Sequence, residues 1–430
     1  MNEYVKSENS IEKPQGIMAY KRRLDITEPP YNAVGDGKTI NTKAIQSALN
    51  DCKNGETVYI PEGVFLTGSL DMKSDTELYI DKGGVLKGSL DMADYLPKSI
   101  ARFEGVERLC YRPLIRIGVM DKYGEPTTGN VKICGGGTIL GGGKILADKI
   151  IAREKSTICG ISHSDEYECD DTVAGRSRPF LVDICNCDGV VIENTEIKDG
   201  PAWNLHIVYS KNVTVRSCKI SSKGIWNGDG IDPDSSENVT ICDCEFDTHD
   251  DSIAIKSGKN PEGNKINRPS RNIYIRSCCG KNGISIGSEM SGGVDGVTIE
   301  DCDFSDSYSG VWVRTTKKRG GYVRNLTVRN CMLTNIRISG AVDFNNDGES
   351  ASELPIVENC SFSNVKLSGI STDGFGITKK IEHISVCGFE GNPERFKNME
   401  FDNVSAMNDE EVRREFRNVE NVLFEGEKIK

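Results

Sequence analysis

The sequence predicts an all-β, single-domain, right-handed parallel β-helix, a solenoid in which each coil of the chain stacks on the coil before it. Two observations carry this prediction. A strand-like segment recurs from about residue 180 onward, and Gly, Asn and Asp residues that favour turns separate its copies. Repeats of roughly 20 to 50 residues without long amphipathic helices are typical of solenoid proteins.

The recurring segment alternates aliphatic and polar residues and then reaches a small residue or a cysteine. Such alternation indicates a strand with one buried side. The copies are VVIENTEI (190–197), VTVRSCKI (213–220), VTICDCEF (239–246), IYIRSCCG (273–280), VTIEDCDF (297–304) and LTVRNCML (326–333). Because neighbouring strands lie about 4.8 Å apart, residues at equal positions of successive copies should form ladders along the solenoid.

Many of the 16 cysteines occupy one position of this repeat. The column comprises Thr195, Cys218, Cys244, Cys278, Cys302, Cys331 and Cys360. We expect it to face inward as a ladder of small, weakly polar side chains. The C-x-C pairs at 185–187 and 242–244 make zinc binding the alternative. Alternate residues of a strand point to opposite faces, which disfavours such a site, and no metal is predicted.

The N-terminal part of the chain predicts a cap on the open end of the stack. We assign residues 1–25 to an N-terminal extension and residues 26–430 to the β-helix. Apolar residues at helical spacing in GDGKTINTKAIQSALNDC (36–52) predict a short helix, with Asn41 and Thr42 as polar cap residues. A helix in this place would cover an exposed sheet edge.

Other segments are assigned from their composition. Strands are predicted at 57–62, 65–70, 76–80 and 131–136. Residues 96–130 and 145–178 are rich in charge and turn formers, so we expect them to be loop insertions that wall a groove. The charged stretch from about residue 405 predicts a short terminal helix.

The charge balance disfavours some classes of partner. The chain has 53 Lys and Arg against 65 Asp and Glu, a net charge of −12, so neither nucleic acid nor an anionic membrane is an expected partner. No segment approaches the roughly 18 apolar residues of a membrane helix, and the first residues show no apolar core of a secretory signal. We therefore expect a cytoplasmic protein with reduced thiols. The oligomeric state is left open.

Carboxylates are most concentrated between residues 227 and 251, in NGDGIDPDSSENVTICDCEFDTHDD. Asp250 and Asp251 follow Asp229 by about one repeat, so these three side chains should share a surface on adjacent coils. Crowded carboxylates raise one another's pKa and thereby supply both an acid and a base. In glycoside hydrolysis, a separation of about 6.5–9.5 Å leaves room for water and gives inversion. Acidic turn residues that cap backbone groups or bind a structural cation are an equally open interpretation.

Three motifs resemble glycoside hydrolase family 28, the polygalacturonases and their pectin-degrading relatives. They are NGDGID (227–232), HDDSIAIKSG (249–258) and GISIGSEMSGG (283–293), and the similarity runs in consistent order over roughly residues 30–400. The resemblance implies a right-handed parallel β-helix that hydrolyses α-glycosidic bonds with inversion and needs no metal or organic cofactor.

The resemblance also implies a role for each matching residue. Asp250 corresponds to the general acid, and Asp229 with Asp251 corresponds to the pair that holds and activates water. Asn227 would position its neighbours. Beside these motif residues, we place His249 in the cleft and Lys256 among the substrate-binding candidates.

Two departures from the family pattern affect the substrate site. The family usually has Gly-His-Gly where this chain has Gly280-Lys281-Asn282-Gly283, so Lys281 could replace the histidine only if its side chain enters the groove. The alternative is a solvated lysine. The usual Arg-Ile-Lys is replaced by Trp312-Val313-Arg314. Arg314 could still hold a uronic carboxylate, and Trp312 offers a flat face for a sugar ring.

The first functional hypothesis is an exo-acting hydrolase of galacturonate-containing pectin oligosaccharides. A rhamnogalacturonan-type hydrolase of the same family is the nearest alternative, since the two departures could alter the accepted sugar. A pectate-lyase-like β-helix enzyme that needs calcium belongs to another reaction class. A catalytically silent sugar-binding solenoid is the third alternative.

Overall fold

The computed structural model describes residues 22–157, 175–340, 348–373, 376–407 and 411–430. In this part of the chain the polypeptide winds as a right-handed parallel β-helix, as predicted. A typical coil contributes one strand to each of three parallel stacks. Aliphatic side chains from all three stacks fill a continuous interior that runs along the solenoid.

The first stack is an eleven-stranded parallel sheet, and its outer face carries the candidate site. Its strands are Leu70–Met72, Ile115–Gly118, Val182–Cys185, Leu205–Val208, Ile231–Asp234, Ile253–Ile255, Ile284–Ile286, Val311–Arg314, Ile336–Ser339, Ile384–Cys387 and Arg414–Arg417.

The second and third stacks merge near the C-terminal end, where Asp303–Phe304 pairs with the end of the long strand Tyr322–Leu333. The second stack contains Arg22–Asp25, Glu56–Ile60, Glu77–Ile80, Thr128–Cys134, Cys187–Glu193, Lys211–Arg216, Glu237–Cys242, Ser270–Arg276, Val294–Glu300, Tyr322–Leu333, Ile356–Leu367, Phe396–Ala406 and Glu420–Phe424. The third contains Asp36–Ile40, Gly63–Thr67, Gly84–Gly88, Thr138–Leu140, Glu196–Lys198, Lys219–Ser222, Glu245–Thr248, Cys279–Gly280 and Asp303–Phe304.

Antiparallel pairs and short helices supplement the three stacks. Antiparallel pairs join Ser99–Phe103 to Val106–Cys110, Ile370–Thr372 to Thr378–Lys380, and Glu420–Phe424 to Glu427–Lys428. Among the described residues the α-helices are Thr42–Asp51, Gly143–Thr157 and Glu262–Ile266, and short 3₁₀ turns span Met92–Tyr95, Gly175–Ser177 and Pro393–Arg395. None of the described helices combines the length and apolar character needed to cross a bilayer.

The predicted capping helix is confirmed as Thr42–Asp51, which buries Ile45, Ala48 and Leu49. Its N-cap residue is Asn41, but the Asn41 side chain makes no capping hydrogen bond. Instead, its Oδ1 accepts from the Val34 amide at 2.7 Å. The first described strand, Arg22–Asp25, lies on the N-terminal side of the predicted boundary at residue 25 and pairs with Glu56–Ile60.

The cysteine ladder faces the interior, as predicted, at 218, 244, 278, 302 and 331. The placement of Cys360 in this ladder is wrong. Cys360 is in register with Leu326, and Val365 takes the position that follows Cys331. The reason is that this coil has 34 residues from Cys331 to its register partner, whereas the sequence assignment used a shorter step. Both positions are buried, so sequence polarity did not distinguish them.

Three other assignments need correction. Residues 96–130 are not only an insertion, because they include the inner strand Ile115–Gly118 and the start of Thr128–Cys134. The segment 145–178 begins within the helix Gly143–Thr157, and its residues 158–174 lie outside the described part of the chain. The predicted terminal helix contains a strand, Arg414–Arg417, because alternation in REFR turns Phe416 toward the core.

Candidate active site

The outer face of the eleven-stranded sheet is polar around its middle strands. In Ile231–Asp234, alternation buries Ile231 in the core and turns Asp232 and Asp234 to the outer face. The parallel register places Asp232 beside His206, and His206 beside Asp183. Polar side chains from successive coils thus stack into one surface, although several of them are almost fully buried.

The structure brings Asp229, Asp250 and Asp251 together at one end of these strands. An oxygen from each carboxylate lies within 4.8 Å of an oxygen from the other two. The Gly230 amide donates to the Asp251 carbonyl at 2.9 Å, which shows that the two segments lie on neighbouring coils. The oxygens are nearer to one another than the separation of about 6.5–9.5 Å that is general for carboxyl groups of inverting glycosidases.

Asp229 is the most confined of the three. Asp229 is 3% exposed. Its Oδ2 lies 3.5 Å from the Lys256 ammonium, and its Oδ1 has no hydrogen-bond partner within the described ranges. Burial raises the pKa of Asp229 well above its ordinary value, and the neighbouring carboxylates Asp232 and Asp250 raise it further. Asp229 is therefore a carboxyl group poised to accept or share a proton.

Asp251 is fixed by two donors. The Ser285 hydroxyl donates to its Oδ1 at 2.7 Å, and the Arg314 guanidinium forms an ion pair with its Oδ2. Burial raises the pKa of Asp251, whereas Arg314 opposes this rise by favouring the carboxylate. Asp250 is more exposed, makes no ion pair with a described residue, and accepts a hydrogen bond from the Asp251 amide at 2.9 Å.

Lys256 is a buried cation shared by several acids. Its ammonium lies 3.5 Å from Asp229, 3.3 Å from Asp232 and 3.8 Å from Glu289. It also lies 4.6 Å from the centre of the Trp203 ring. Burial alone would lower the pKa of Lys256, but Glu289 and Asp232 outweigh it and raise this pKa well above its ordinary value. Lys256 therefore stays charged and positions the acids rather than projecting into solvent.

Sequence reasoning did not single out Asp232 or Glu289, although both lie in motifs that resemble the family. Burial raises the pKa of Asp232 to about 7, against the opposing effects of Lys256 and His206. Glu289 behaves in the opposite way: burial favours its neutral form, but Lys256 and Arg319 lower its pKa to about 2. The sequence did contain a signal for Asp232, because the alternation of side chains in the strand IDPD (231–234) places it on the outer face.

A buried ionic network supports the sheet beneath the carboxylates. His206 Nδ1 lies 2.9 Å from Asp183 Oδ1, and Arg102 pairs with Asp234 at 3.2 Å. Burial disfavours the imidazolium, but Asp183 and Asp234 outweigh this effect and raise the pKa of His206 to about 9. Arg102, by contrast, comes from the hairpin of Ser99–Phe103 and Val106–Cys110, so this network ties the hairpin to the sheet.

The same hairpin stands over the sheet as a wall. At its tip, the Gly105 carbonyl accepts from the Lys259 amide at 3.1 Å. Gly105 is also so close to Glu289 that an added Cβ would lie 3.0 Å from the Glu289 side chain. Phe103 stacks on Trp203 with ring centres 5.3 Å apart. The site is thus bounded on this side by a segment that packs directly against it.

Several predicted substrate-binding residues make contacts with other groups of the protein. Asn227 accepts from Arg178 at 2.6 Å, and Asn282 donates to the Thr248 carbonyl at 2.5 Å. His249 is exposed, and its amide hydrogen bonds to Ser222. Lys281 is not brought to the carboxylates, because its ammonium pairs with the exposed carboxylate of Asp306.

Trp312 and Arg314 lie on the outer face, as alternation requires, but their partners are protein groups. Arg314 is engaged by Asp251 and also donates to the Gly287 carbonyl at 3.2 Å. The Arg337 guanidinium lies 4.1 Å from the centre of the Trp312 ring, and that of Arg314 lies 5.0 Å from it. The ring expected to stack on a sugar is therefore already in contact with two cations.

The three carboxylates offer oxygen atoms close enough to hold a hard cation as well as to transfer protons. Lys256 and Arg314 already supply positive charge at Asp229 and Asp251. The arrangement is suited to acid–base chemistry, since one carboxyl group lies partly open to solvent while its neighbours are held by cations.

The structure is thus a parallel β-helix that carries an acidic cluster on one outer face. The chain belongs to the glycosyl hydrolases family 28, whose family model matches residues 56–355. This finding confirms the resemblance described from the motifs.

Individual relatives agree with this membership. A probable polygalacturonase of Vitis vinifera is 30% identical over 71% of this chain, and an exo-poly-alpha-D-galacturonosidase of Dickeya chrysanthemi is 26% identical over 74% of it. The matches span 60% and 56% of those two proteins' lengths, respectively. The crystal structure of a hyperthermoactive exopolygalacturonase from Thermotoga maritima is 28% identical, with a TM-score of 0.73 over 95% of this chain and 93% of that one.

Proposed function

We propose that the protein is an exo-acting, inverting glycoside hydrolase that cleaves α-glycosidic bonds in galacturonate-containing pectin oligosaccharides. The observation that carries the proposal is the cluster of Asp229, Asp250 and Asp251, whose three carboxylates lie within 4.8 Å of one another but have different partners. Hydrolysis needs a proton donor for the leaving oxygen and a base for water, and unlike environments let similar groups take these two roles.

The environments support a division of roles. Asp250 is assigned as the general acid, because it is the most accessible of the three carboxyl groups and makes no ion pair with a described residue. Asp229 and Asp251 hold and activate the water. Lys256 and Arg314 favour the carboxylate form of these two residues against the effect of burial. A protonated Asp250 then donates to the leaving glycosidic oxygen while water attacks the anomeric carbon.

The inverting outcome rests on the family resemblance, because the carboxylate oxygens are closer together than is general for inverting enzymes. Exo action is supported by the hairpin that packs against Glu289 and Lys259, since such a wall limits the length of sugar chain beyond the site. The names of the Dickeya chrysanthemi and Thermotoga maritima relatives point to the same mode. The cytoplasmic location stays a prediction from the sequence.

The test uses defined oligogalacturonides and rhamnogalacturonan fragments, with products and anomers identified by NMR. We expect galacturonate to be released from one chain end, with the first-formed anomer inverted. Asp229→Asn, Asp250→Asn and Asp251→Asn should each lower the rate at least about a hundredfold, the low end for acid–base catalysis. Full activity in all three variants would remove the assignment, and cleavage restricted to rhamnogalacturonan would replace the substrate.

Pectate-lyase-like elimination is the competing chemistry, because three clustered carboxylates are also oxygen ligands suited to calcium. Elimination creates a C=C bond that absorbs ultraviolet light, whereas hydrolysis does not. We expect turnover to continue in the presence of a chelator without a rise in ultraviolet absorbance. A chelator-sensitive, ultraviolet-absorbing product would establish the lyase instead.

A further inference from the structure

Arg337 lies on the outer face of the eleven-stranded sheet, one coil beyond Trp312. Its neighbours Ile336 and Ile338 are buried in the core, so alternation turns the Arg337 side chain outward. The register pairs Arg337 with Trp312, and its guanidinium lies 4.1 Å from the centre of the indole ring. This residue belongs to none of the motifs that resemble family 28.

Arg337 lacks an acidic partner in the described part of the chain, although its side chain is largely covered. The titratable groups that surround it are Tyr308, Cys387 and Arg314, and none of these is a carboxyl group. Arg314 differs, because it is committed to Asp251. A partly desolvated guanidinium without a counter-charge is unfavourable, and a bound anion would relieve this cost.

The contact with Trp312 leaves Arg337 able to bind such an anion. Stacking on an aromatic ring uses the flat face of a guanidinium, whereas its N–H groups project from the edge. Two parallel N–H groups match the two oxygens of a carboxylate. Trp312 thus restricts the orientation of Arg337 without consuming its hydrogen-bond donors.

The position of Arg337 relates it to the reacting centre. Ser285, which donates to Asp251, is in register with Trp312, and Trp312 is in register with Arg337. Two steps of the sheet correspond to about 10 Å at the usual strand spacing. This distance is on the scale of a neighbouring sugar unit rather than of the scissile bond itself.

We propose that Arg337 binds the carboxylate of a galacturonate unit adjacent to the cleaved linkage and thereby selects acidic over esterified pectin fragments. This inference rests on the proposed function and deepens it. In this arrangement Arg337 recognises the substrate carboxylate, a role that the sequence had given to Arg314. Trp312 acts as the platform for the guanidinium rather than for the sugar.

The experiment compares trigalacturonate with its methyl ester as substrates of the wild-type protein, Arg337→Gln and Arg337→Lys. Losing a charge-assisted hydrogen bond should lower kcat/KM for trigalacturonate about tenfold to a hundredfold in Arg337→Gln, mainly through KM. The kcat/KM for the methyl ester should fall much less, so Arg337→Gln loses the preference for the acid. Arg337→Lys keeps the positive charge and should recover part of this preference. Arg271→Gln, an exposed arginine of the second stack, is the matched control and should resemble the wild type.

Binding is measured separately by calorimetry, with trigalacturonate and the Asp250→Asn protein in the presence or absence of Arg337→Gln. Weaker binding on removal of Arg337 supports the inference, and equal affinity overturns it. An unchanged preference for the acid in Arg337→Gln, with full turnover, also overturns it. If the wild-type protein turns over neither substrate, the proposed function fails, while the calorimetric comparison still decides the role of Arg337. Thermal unfolding checks that each variant is folded.

Discussion

Arg314 forms an ion pair with Asp251 across two steps of the eleven-stranded sheet, so the cation that the sequence predicted to bind substrate holds an acidic residue of the site. The same Asp251 carboxylate accepts from Ser285, which lies on the strand between them. Asp251 is 8% exposed and would be costly to ionise without this support. The protonation of Asp251 therefore depends on Arg314, a residue that the sequence analysis had assigned to the substrate carboxylate.

The first prediction concerns the pH dependence of catalysis in Arg314→Gln. Arg314 lowers the pKa of Asp251, so its removal should raise that pKa. If Asp251 must be ionised to activate water, the acidic limb of the kcat/KM profile will move to higher pH. The profile is measured with an oligogalacturonide between about pH 3 and 8, and Arg337→Gln serves as a comparison that leaves the Asp251 pair intact. An acidic limb that stays in place would contradict this role for Arg314.

The sequence predicted the coil architecture because strand alternation and repeat length are local properties. It also indicated that Asp229 and Asp251 would meet, since one repeat separates them and equal positions stack. It did not indicate the partner of Arg314, because alternation gives the face on which a side chain lies but not the group it contacts. Arg337 was missed for a related reason: its proposed role depends on the lack of an acid around it among the described residues, which only the folded chain reveals.

The second prediction concerns Lys256→Met. The substitution keeps much of the aliphatic volume but removes the cation shared by Asp229, Asp232 and Glu289, all of which are mostly buried. Removing one partner of a buried ion pair lowers the free energy of unfolding by about 3–5 kcal/mol. We therefore expect a clearly lower midpoint of thermal unfolding. Activity should fall as well, because the pKa of Asp229 would rise further.

A double variant separates this electrostatic effect from lost packing. Lys256→Met combined with Asp232→Asn removes one of the uncompensated carboxylates, so it should recover part of the lost stability. Thermal unfolding of the wild type, the two single variants and the double variant forms a complete cycle. Strict additivity of the two substitutions would show that Lys256 and Asp232 do not interact.

The third prediction concerns Lys281, which could substitute for the family histidine only if its side chain entered the groove. Its ammonium pairs with Asp306, and both side chains are largely exposed, so the pair contributes little to stability. Lys281→Ala should change kcat and KM for oligogalacturonides less than about twofold, within the small effect of an exposed ion pair. A large rise in KM would show that Lys281 leaves Asp306 when substrate binds. The direction of this side chain depends on the loop containing Asp306, which comes from the next coil and was not evident from the Lys281 segment.

The fourth prediction concerns the pH dependence of stability and the buried His206. Asp183 and Asp234 raise its pKa from about 6.5 to about 9 despite the opposing effect of burial. Its stabilising contribution is therefore complete below about pH 6.5 and is lost as the pH rises through about 9. At about 1.4 kcal/mol per pKa unit, this contribution amounts to about 3 kcal/mol.

Urea unfolding of the wild-type protein and His206→Gln between about pH 6 and 10 measures this contribution. The free energy of unfolding of the wild type should fall over that range. That of the variant should fall by about 3 kcal/mol less, because the variant has no imidazolium at position 206 to lose its proton as the pH rises. His249→Gln is the matched control, since His249 is exposed. Parallel curves for the wild type and His206→Gln would mean that His206 is neutral in the folded protein, and the ionic network between Asp183 and Asp234 would then need another source of charge.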